Sequence, residues 1–346
     1  MKKIKYKAIL ASLCLGLVVF TSVPNAFAQD NGQNNKERIY GSNRIETSIE
    51  VSKNGWKDGS KYVVIAQGYD FADALSAAPL AKKYDAPIIL NGNGKLPDST
   101  VNELKRLKVE NAIILGGDKV ISKEVENQLK ALKIDINRIY GQTRYETALK
   151  VAEEVGQGDT LFVTNGRTYA DALSVSAIAA KKGCPILYTE KDNMIPAVKE
   201  YIKNHKISKI YFVGGEGVIT DKVKNQVSNG ERLSGSNRYE TNKEVLEKFA
   251  KDLNFENVYF VTGQNFADAL SVAPLASMKN APIVLTNKNV NEDIEKLINS
   301  KIDSNSKLIC IGGEAVVPSS ILDKFNLDKP SFEIIEIASI NSSQLW

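Results

Sequence analysis

Four sequence landmarks recur in the same order three times along the chain. The first is an opening that contains two arginines, which reads RIYGSNRIET from Arg38, RIYGQTRYET from Arg138 and RLSGSNRYET from Arg232. It is followed by an FADALS or YADALS motif, an apolar run that begins at a proline, and a pair of glycines. The glycine pairs are 98 residues apart in both intervals, so the chain consists of three tandem copies of one unit.

Each copy alternates short apolar runs with helical patterns. In the first copy the runs YVVIAQG, APIIL and NAIILGG have strand length and are apolar throughout. Such runs are typical of strands buried on both faces of a parallel sheet. The alternation predicts an α/β fold of three tandem, small, doubly wound (Rossmann-like) parallel-sheet modules. Because modules of this size leave sheet edges to cover, we expect the three copies to pack on one another.

The two ends of the chain delimit the repeats. A basic start, an apolar run from Ala8 to Phe20 and the small-x-small site at residues 26–28 are typical of a secretory signal. The segment from Val317 to Ile337 is expected to supply the last helix and closing strand of the third copy, which leaves no room for a separate catalytic domain. The predicted divisions are a signal peptide at 1–28 and repeats at 38–131, 138–229 and 232–337.

Cleavage of the signal leaves the chain without net charge. The signal contains four lysines, so 41 basic residues remain against 41 acidic ones. A neutral chain argues against nucleic acid as a partner and against a polybasic membrane contact after cleavage. An anionic partner would have to be held by local clusters.

Cysteine and histidine are too rare to form repeated sites. The other copies have alanine at the position of Cys184, and isoleucine or phenylalanine at that of Cys310, so we interpret both cysteines as buried apolar substitutes rather than a disulfide. His205 is the single histidine and has no counterpart in the other copies. Histidine-based metal sites and a Ser-His-Asp triad are therefore excluded.

The opening of each copy has the spacing of a helix N-cap. Asparagine or threonine stands three residues before a glutamate, as Asn43 stands before Glu46, which is the capping-box spacing. The cap accounts for the glutamates but not for the arginine that follows each cap residue, because a helix N-terminus disfavours a cation. We therefore expect a nearby partner for each of these arginines, which are Arg44, Arg144 and Arg238.

The aspartate of the second motif has two interpretations, which the sequence leaves open. It follows a good N-cap residue by three positions, so it can be the third residue of a helix, where the helix dipole favours an acid. It also follows a strand, at the edge where open α/β sheets bind ligands, and there it can accept hydrogen bonds from sugar hydroxyls or pair with a repeated arginine. The three residues are Asp73, Asp171 and Asp268.

The glycine pairs do not form a nucleotide-binding motif. GGDKVIS, GGEGVIT and GGEAVVP match neither a dinucleotide fingerprint nor a P-loop, and an acidic residue follows each pair. We predict tight strand-to-helix turns at these glycines and no cofactor.

The tripled landmarks resemble the type 2 cell-wall-binding repeats of clostridial surface proteins. The likeness extends from Arg38 to about Ile337. It implies three modules packed as a pseudo-threefold trimer in a secreted protein of the Gram-positive cell wall or cell surface. It also implies non-covalent attachment to an anionic wall polysaccharide or teichoic-acid-like polymer and leaves contacts with other surface-layer proteins open. Relatives are sometimes labelled amidases, but the residues of this chain supply no recognisable hydrolytic machinery, so we expect no catalysis.

Under this resemblance, basic side chains would bind polymer phosphates and aspartates would bind sugar hydroxyls. Three linked weak sites favour avidity, whereas an active site needs assembling once. A peptidoglycan hydrolase of the autolysin (amidase) type, which would show carboxylates in one copy only, and a surface adhesin are the alternatives. The candidate ligand-binding residues are Arg44, Arg144, Arg238, Arg38, Arg138, Arg232, Asp73, Asp171 and Asp268.

Overall fold

Three four-stranded parallel sheets with helices between their strands form the framework of the computed structural model, which describes residues 35–156 and 158–329. The predicted α/β fold of three tandem modules is confirmed. The predicted signal peptide and the strand predicted just before Ile337 lie outside the described residues.

The strands coincide with the continuous apolar runs, and the central ones are almost wholly buried. The first sheet contains β2 (Tyr62–Gln67), β3 (Ile88–Asn91), β4 (Asn111–Leu115) and β5 (Asp135–Ile139). The second contains β6 (Thr160–Asn165), β7 (Ile186–Thr189), β8 (Lys209–Val213) and β9 (Gly230–Leu233). The third contains β10 (Asn257–Thr262), β11 (Ile283–Thr286), β12 (Lys307–Ile311) and β1 (Lys36–Ile39).

Helices connect the strands, and within the described ranges none of them has the length and hydrophobicity needed to cross a bilayer. The helix predicted after Val317 is a 3₁₀ helix, Ser319–Lys324, and a second 3₁₀ helix spans Ala250–Asp252. The α-helices are α1 (Arg44–Gly55), α2 (Ala77–Lys83), α3 (Asp98–Leu107), α4 (Lys123–Ala131), α5 (Arg144–Val155), α6 (Ala170–Lys182), α7 (Pro196–Asn204), α8 (Asp221–Lys224), α9 (Arg238–Lys248), α10 (Ala267–Lys279) and α11 (Glu292–Asn299).

All three sheets have the same strand order. It is β3-β2-β4-β5 in the first sheet, β7-β6-β8-β9 in the second and β11-β10-β12-β1 in the third. In the first sheet the chain passes from β2 to β3 on one side and then returns to β4 on the other. The direction of winding therefore reverses between β2 and β4, and equivalent reversals occur in the other two sheets.

The strand that opens each copy completes the sheet of the preceding copy. β5 pairs with β4, β9 pairs with β8, and β1 pairs in parallel with β12, with Arg38 opposite Cys310. The first described strand therefore closes the third sheet and links the beginning of the chain to its last repeat. The sequence predicts that a strand from the C-terminal segment closes the third sheet, whereas the strand that lies beside β12 is β1.

The modules pack together through the helices of the second motif. α2, α6 and α10 contact one another around an approximate threefold axis, which confirms the predicted pseudo-threefold arrangement. Every residue of α6 from 170 to 180 is buried, and the small residues of the motif allow this close approach. Much of the packing of these helices is against the motif helices of the other modules rather than against their own sheets.

The predicted N-caps of α1, α5 and α9 are confirmed. Each accepts the backbone N–H of the glutamate three residues later, at 3.1 to 3.3 Å: Asn43, Thr143 and Asn237. The return bond differs from a capping box, because Glu146 and Glu240 accept the N–H of the residue before the cap. Glu46 accepts the hydroxyl of Ser99 at 2.7 Å instead.

The helices of the second motif begin later than predicted. α6 and α10 begin one residue later, which makes Asp171 and Asp268 their second residue instead of their third. α2 begins at Ala77 and leaves Asp73 in the preceding turns. The reason is visible at Asp70, whose carboxylate accepts the N–H two residues later at 3.0 Å and so forms an Asx turn rather than a helix cap.

Candidate functional site

The loops that follow the strands gather at one edge of each sheet. A cavity of about 990 Å³ opens there in the first module, over the point between β2 and β4 where the winding reverses. Its walls are the loops after β2, β4 and β5, together with Arg167 from the loop after β6. In open α/β sheets this edge, beyond the carboxyl ends of the strands, is the usual place for ligands.

The second motif of each copy faces the opening of the next copy, and we call these three places the first, second and third junctions. At each junction burial raises the pKa of the motif aspartate, and the electrostatic attraction of the arginine in the opening acts in the opposite direction. The aspartate that attracts each arginine therefore belongs to a neighbouring module, although it is too far away to form a salt bridge. The pairs are Arg144 with Asp73, Arg238 with Asp171 and Arg44 with Asp268.

A backbone carbonyl holds each of these arginines. Nη1 donates to the carbonyl of the glycine that follows the next strand along the chain, at 2.5 to 2.8 Å: Gly68 for Arg44, Gly166 for Arg144 and Gly263 for Arg238. Among the described residues, no carboxylate forms a salt bridge with any of the three guanidinium groups, and each is at least partly exposed. Hydrogen-bond donors therefore remain for an anionic ligand.

Three aromatic rings meet where the motif helices converge, with centroids 5.5 to 6.1 Å apart: Phe71, Tyr169 and Phe266. Each junction arginine lies over one of these rings. The guanidinium carbon is 6.0 Å from the Phe266 ring for Arg44, 5.6 Å from Phe71 for Arg144 and 5.5 Å from Tyr169 for Arg238. Each guanidinium group therefore makes a cation–π contact across a module boundary, and that of Arg44 also lies 4.7 Å from the ring of Tyr69 in its own copy.

Burial is the main influence on the pKa of the three motif aspartates. It raises the pKa of Asp171 and of Asp268 to about 6, although the attraction of Arg238 and Arg44 acts in the opposite direction. Burial also raises the pKa of Asp73, while a hydrogen bond with Thr147 lowers it. A carboxylate in so dry an environment favours its protonated form.

The same aspartates explain the first glycine of each pair. Gly116, Gly214 and Gly312 have φ of +102°, +120° and +103°, which residues with a Cβ rarely adopt. A Cβ at these positions would lie 2.6 to 3.0 Å from Oδ2 of the aspartate in the same copy. The glycine pairs are therefore tight turns closed over a carboxylate that is buried at Asp171 and half-buried at Asp73 and Asp268, which confirms the predicted turns.

We expect these buried carboxyls to make the folded state less stable as the pH rises from about 4.5 to 6.5. The pKa of aspartate in an unfolded chain is about 3.9, so over this range the folded state binds more protons than the unfolded state. A folded-state pKa of about 6 for Asp171 and for Asp268 corresponds to about 3 kcal/mol per carboxyl between full protonation and full ionisation, of which about 1.5 kcal/mol is lost between pH 5 and pH 7. Urea denaturation at pH 5 and pH 7 measures the difference.

The control for this pH dependence is the double variant Asp171→Asn with Asp268→Asn, which has no carboxyl to ionise at either position. We expect its unfolding free energy to change less between pH 5 and pH 7 than that of the wild type. Carboxyls whose pKa is lowered, such as Glu231, lose their stabilising effect below about pH 4.5, outside this range. Identical pH profiles for the two proteins would contradict the assignment.

The guanidinium groups of the other three candidate arginines are already paired within the protein. Nη1 of each donates to the carbonyl of the first glycine in a pair, at 2.6 to 2.7 Å: Arg38, Arg138 and Arg232. A second nitrogen of each contacts a carboxylate, which belongs to Glu314, Glu126 or Asp221 respectively. Their side chains are only 9 to 16% exposed. These arginines attach each opening strand to the adjacent glycine turn.

Four large apolar side chains at the same edge were missed by sequence reasoning. In the described residues they are the large hydrophobic side chains that are exposed, at 41 to 61%: Tyr40, Tyr69, Tyr140 and Val316. All four lie in loops that follow strands. Tyrosine rings have an apolar face and a polar edge, which suits contact with saccharides. The signal was present at positions 40 and 140, where the opening reads RIYG, but not at the third copy's RLSG.

Metal binding finds no support in the part of the chain that the structure describes, because no group of three or more histidine, cysteine or acidic side chains is suitably placed. Cys184 and Cys310 are free and buried, and burial raises the pKa of both thiols to about 11. The prediction that they are apolar substitutes is confirmed, and thiols with so high a pKa are unreactive.

A family model agrees with the threefold plan. The model for cell wall binding domain 2 (CWB2) matches residues 38–126, 138–224 and 232–322. The chain belongs to this family. Its three CWB2 domains are binding modules for the cell wall, which places the chain at the cell wall or cell surface.

Known relatives carry the same domains. The chain is 38% identical over 305 residues to N-acetylmuramoyl-L-alanine amidase LytC of Bacillus subtilis, covering 88% of this chain and 60% of the relative. The solved structure of Cwp6 from Clostridium difficile has a TM-score of 0.78 and 31% identity, and covers 85% of this chain and 48% of Cwp6. Cwp8 from the same organism has a TM-score of 0.75 and 30% identity, with coverages of 84% and 51%. The chain thus spans about half to three fifths of these relatives.

Proposed function

We propose that this chain is a secreted, non-covalent anchor that binds an anionic secondary polymer of the Gram-positive cell wall through its three CWB2 domains. The observation that carries the proposal is the set of three junction arginines, which have no salt-bridge partner in the described residues and share one face. Guanidinium groups form paired, charge-assisted hydrogen bonds with phosphate. Acidic and amide side chains in the same loops are available to sugar hydroxyls.

Three linked sites suit a repetitive polymer. Once one junction binds a polymer unit, the other two meet neighbouring units at a high effective concentration, so weak contacts give tight attachment. The close packing of α2, α6 and α10 supports this view, because it holds the three junctions on one rigid body. Secretion through the predicted signal peptide and residence beside other surface-layer proteins belong to the same proposal.

The proposal includes no catalysis by these modules. A hydrolase would be distinguished by carboxylates present in one copy only, and Glu103 is such a residue. Its side chain is 1% exposed and is bonded to Ser52 at 2.5 Å and to Arg106 at 2.7 Å. A carboxylate that is buried and fully paired in this way stabilises the contact of α1 with α3 and is not free to act on a substrate. The amidase activity in the name of LytC concerns a protein of which this chain spans 60%.

A sedimentation assay tests the proposal. Purified residues 29–346 are mixed with washed clostridial walls, either intact or stripped of anionic polymer, and bound protein and released wall fragments are both measured. We expect binding to intact walls, loss of binding to stripped walls and no released fragments. Binding that survives stripping would contradict a polymer-dependent anchor, and released fragments would establish a hydrolase.

A further inference from the structure

The three junctions have the same arginine, aspartate and glycine residues but differ at two other positions. The residue two positions after the glycine pair is Lys119 at the first junction, and Gly217 and Ala315 at the others. The residue after the glycine that holds the arginine is Arg167 at the first junction. Its counterparts are Gln264 at the second junction and Tyr69 at the third. The first junction therefore has two basic side chains that the other junctions lack.

Both additional cations line the cavity of about 990 Å³ together with Arg144. Lys119 is exposed and forms no salt bridge within the described residues. Arg167 contacts Glu190 at 3.2 Å, but this pair is at the rim, where the two side chains are 74% and 38% exposed. An exposed pair contributes little, so a phosphate can replace the carboxylate at small cost.

The acidic side chains of the same cavity are already engaged. Asp118 is 3.4 Å from the ammonium group of Lys123 and 3.8 Å from the guanidinium group of Arg138. Asp70 accepts a backbone N–H, and burial raises the pKa of Asp73. The positive charges therefore remain available to an anion, while the engaged carboxylates still have lone pairs for hydroxyl groups.

We propose that the first junction is the principal phosphate subsite of the wall-polymer site, with Arg144, Arg167 and Lys119 holding one phosphate-bearing sugar unit. The second and third junctions each contribute one arginine and contact the less charged parts of the polymer. The inference rests on the proposed function and adds to it that the three CWB2 domains are unequal. The volume of the cavity is in the range of natural small-ligand sites.

Exchange of the distinguishing residues tests the subsite. In one variant Lys119→Ala and Arg167→Gln place residues of the other junctions in the first junction. In a second variant Gly217→Lys and Gln264→Arg transfer the charges to the second junction, where a Cβ at Gly217 meets no atom within 4 Å. Lys61→Ala with Lys307→Ala is the matched control, because it removes two charges from the opposite edge of the sheets.

Wall sedimentation with soluble poly(glycerol phosphate) as competitor, and dextran as the neutral comparison, gives the readout. We expect the first variant to lose about a hundredfold in wall affinity and to become less sensitive to poly(glycerol phosphate), since two charge-assisted contacts are removed. The control should bind like the wild type, and the second variant should bind more tightly. Wild-type affinity in the first variant would overturn the subsite alone, whereas a wild-type protein that does not bind walls would overturn the proposed function.

Discussion

Replacement of Arg44, Arg144 and Arg238 together by alanine is expected to abolish sedimentation with intact cell walls. Each substitution removes one charge-assisted contact with the polymer, so the combined loss of binding free energy is about 5 kcal/mol. It also removes a hydrogen bond to a glycine carbonyl and a ring contact, which stabilise the fold by about 1 kcal/mol each. We therefore expect a folded protein with a lowered unfolding temperature and no wall binding.

The control for this experiment removes the same charge from the other side of the molecule. Lys61, Lys209 and Lys307 lie at the amino ends of strands in the three sheets, and their exposed or half-exposed side chains are paired with surface glutamates. Their triple replacement by alanine should leave binding intact. Equal binding by the arginine variant and the wild type, with normal circular dichroism, would refute the role of the junction arginines. Unfolding of the arginine variant would show that these arginines act in the fold.

The second large effect concerns the two glycines of one pair, which are expected to differ sharply in tolerance. Gly312→Ala should lower the free energy of unfolding by about 3 kcal/mol, because alanine at a φ of +103° is strained and its Cβ would lie 2.6 Å from Oδ2 of Asp268. Gly313→Ala should change it by less than about 1 kcal/mol, because a Cβ there meets no atom within 4 Å.

Urea denaturation of the two variants and the wild type measures this difference. The two substitutions are chemically identical and adjacent, so effects on the unfolded chain nearly cancel between them. Equal midpoints for Gly312→Ala and Gly313→Ala would show that the turn can be remade around a side chain. They would also remove the explanation offered for the first glycine of all three pairs.

Local sequence patterns were sufficient to predict most of the strands and helix N-caps of the fold. The interval between glycine pairs establishes three copies, and the continuous apolar runs coincide with buried strands because both faces of each parallel sheet are covered. The N-caps Asn43, Thr143 and Asn237 are where the spacing places them, because a cap involves residues only three apart. The helix starts at the second motif were misplaced because Asx turns and caps use the same residue types.

The candidate site could be predicted only as a set of residue types. The sequence placed arginine and aspartate in every copy but could not show which arginines were free. Arg38 reaches Glu314 across 276 residues, and this contact separates an occupied arginine from an available one. The cation–π contact of Arg144 with Phe71 likewise crosses a module boundary.

The sequence by itself determined the repeat number, the α/β class and the family resemblance, because each follows from local patterns and from their recurrence along the chain. The tertiary structure decided how the copies meet. Pairing of β1 with β12 closes the ring, and the convergence of α2, α6 and α10 brings each aspartate to the arginine of the next copy. These contacts depend on packing between modules, and periodicity along one chain carries no information about which module faces which.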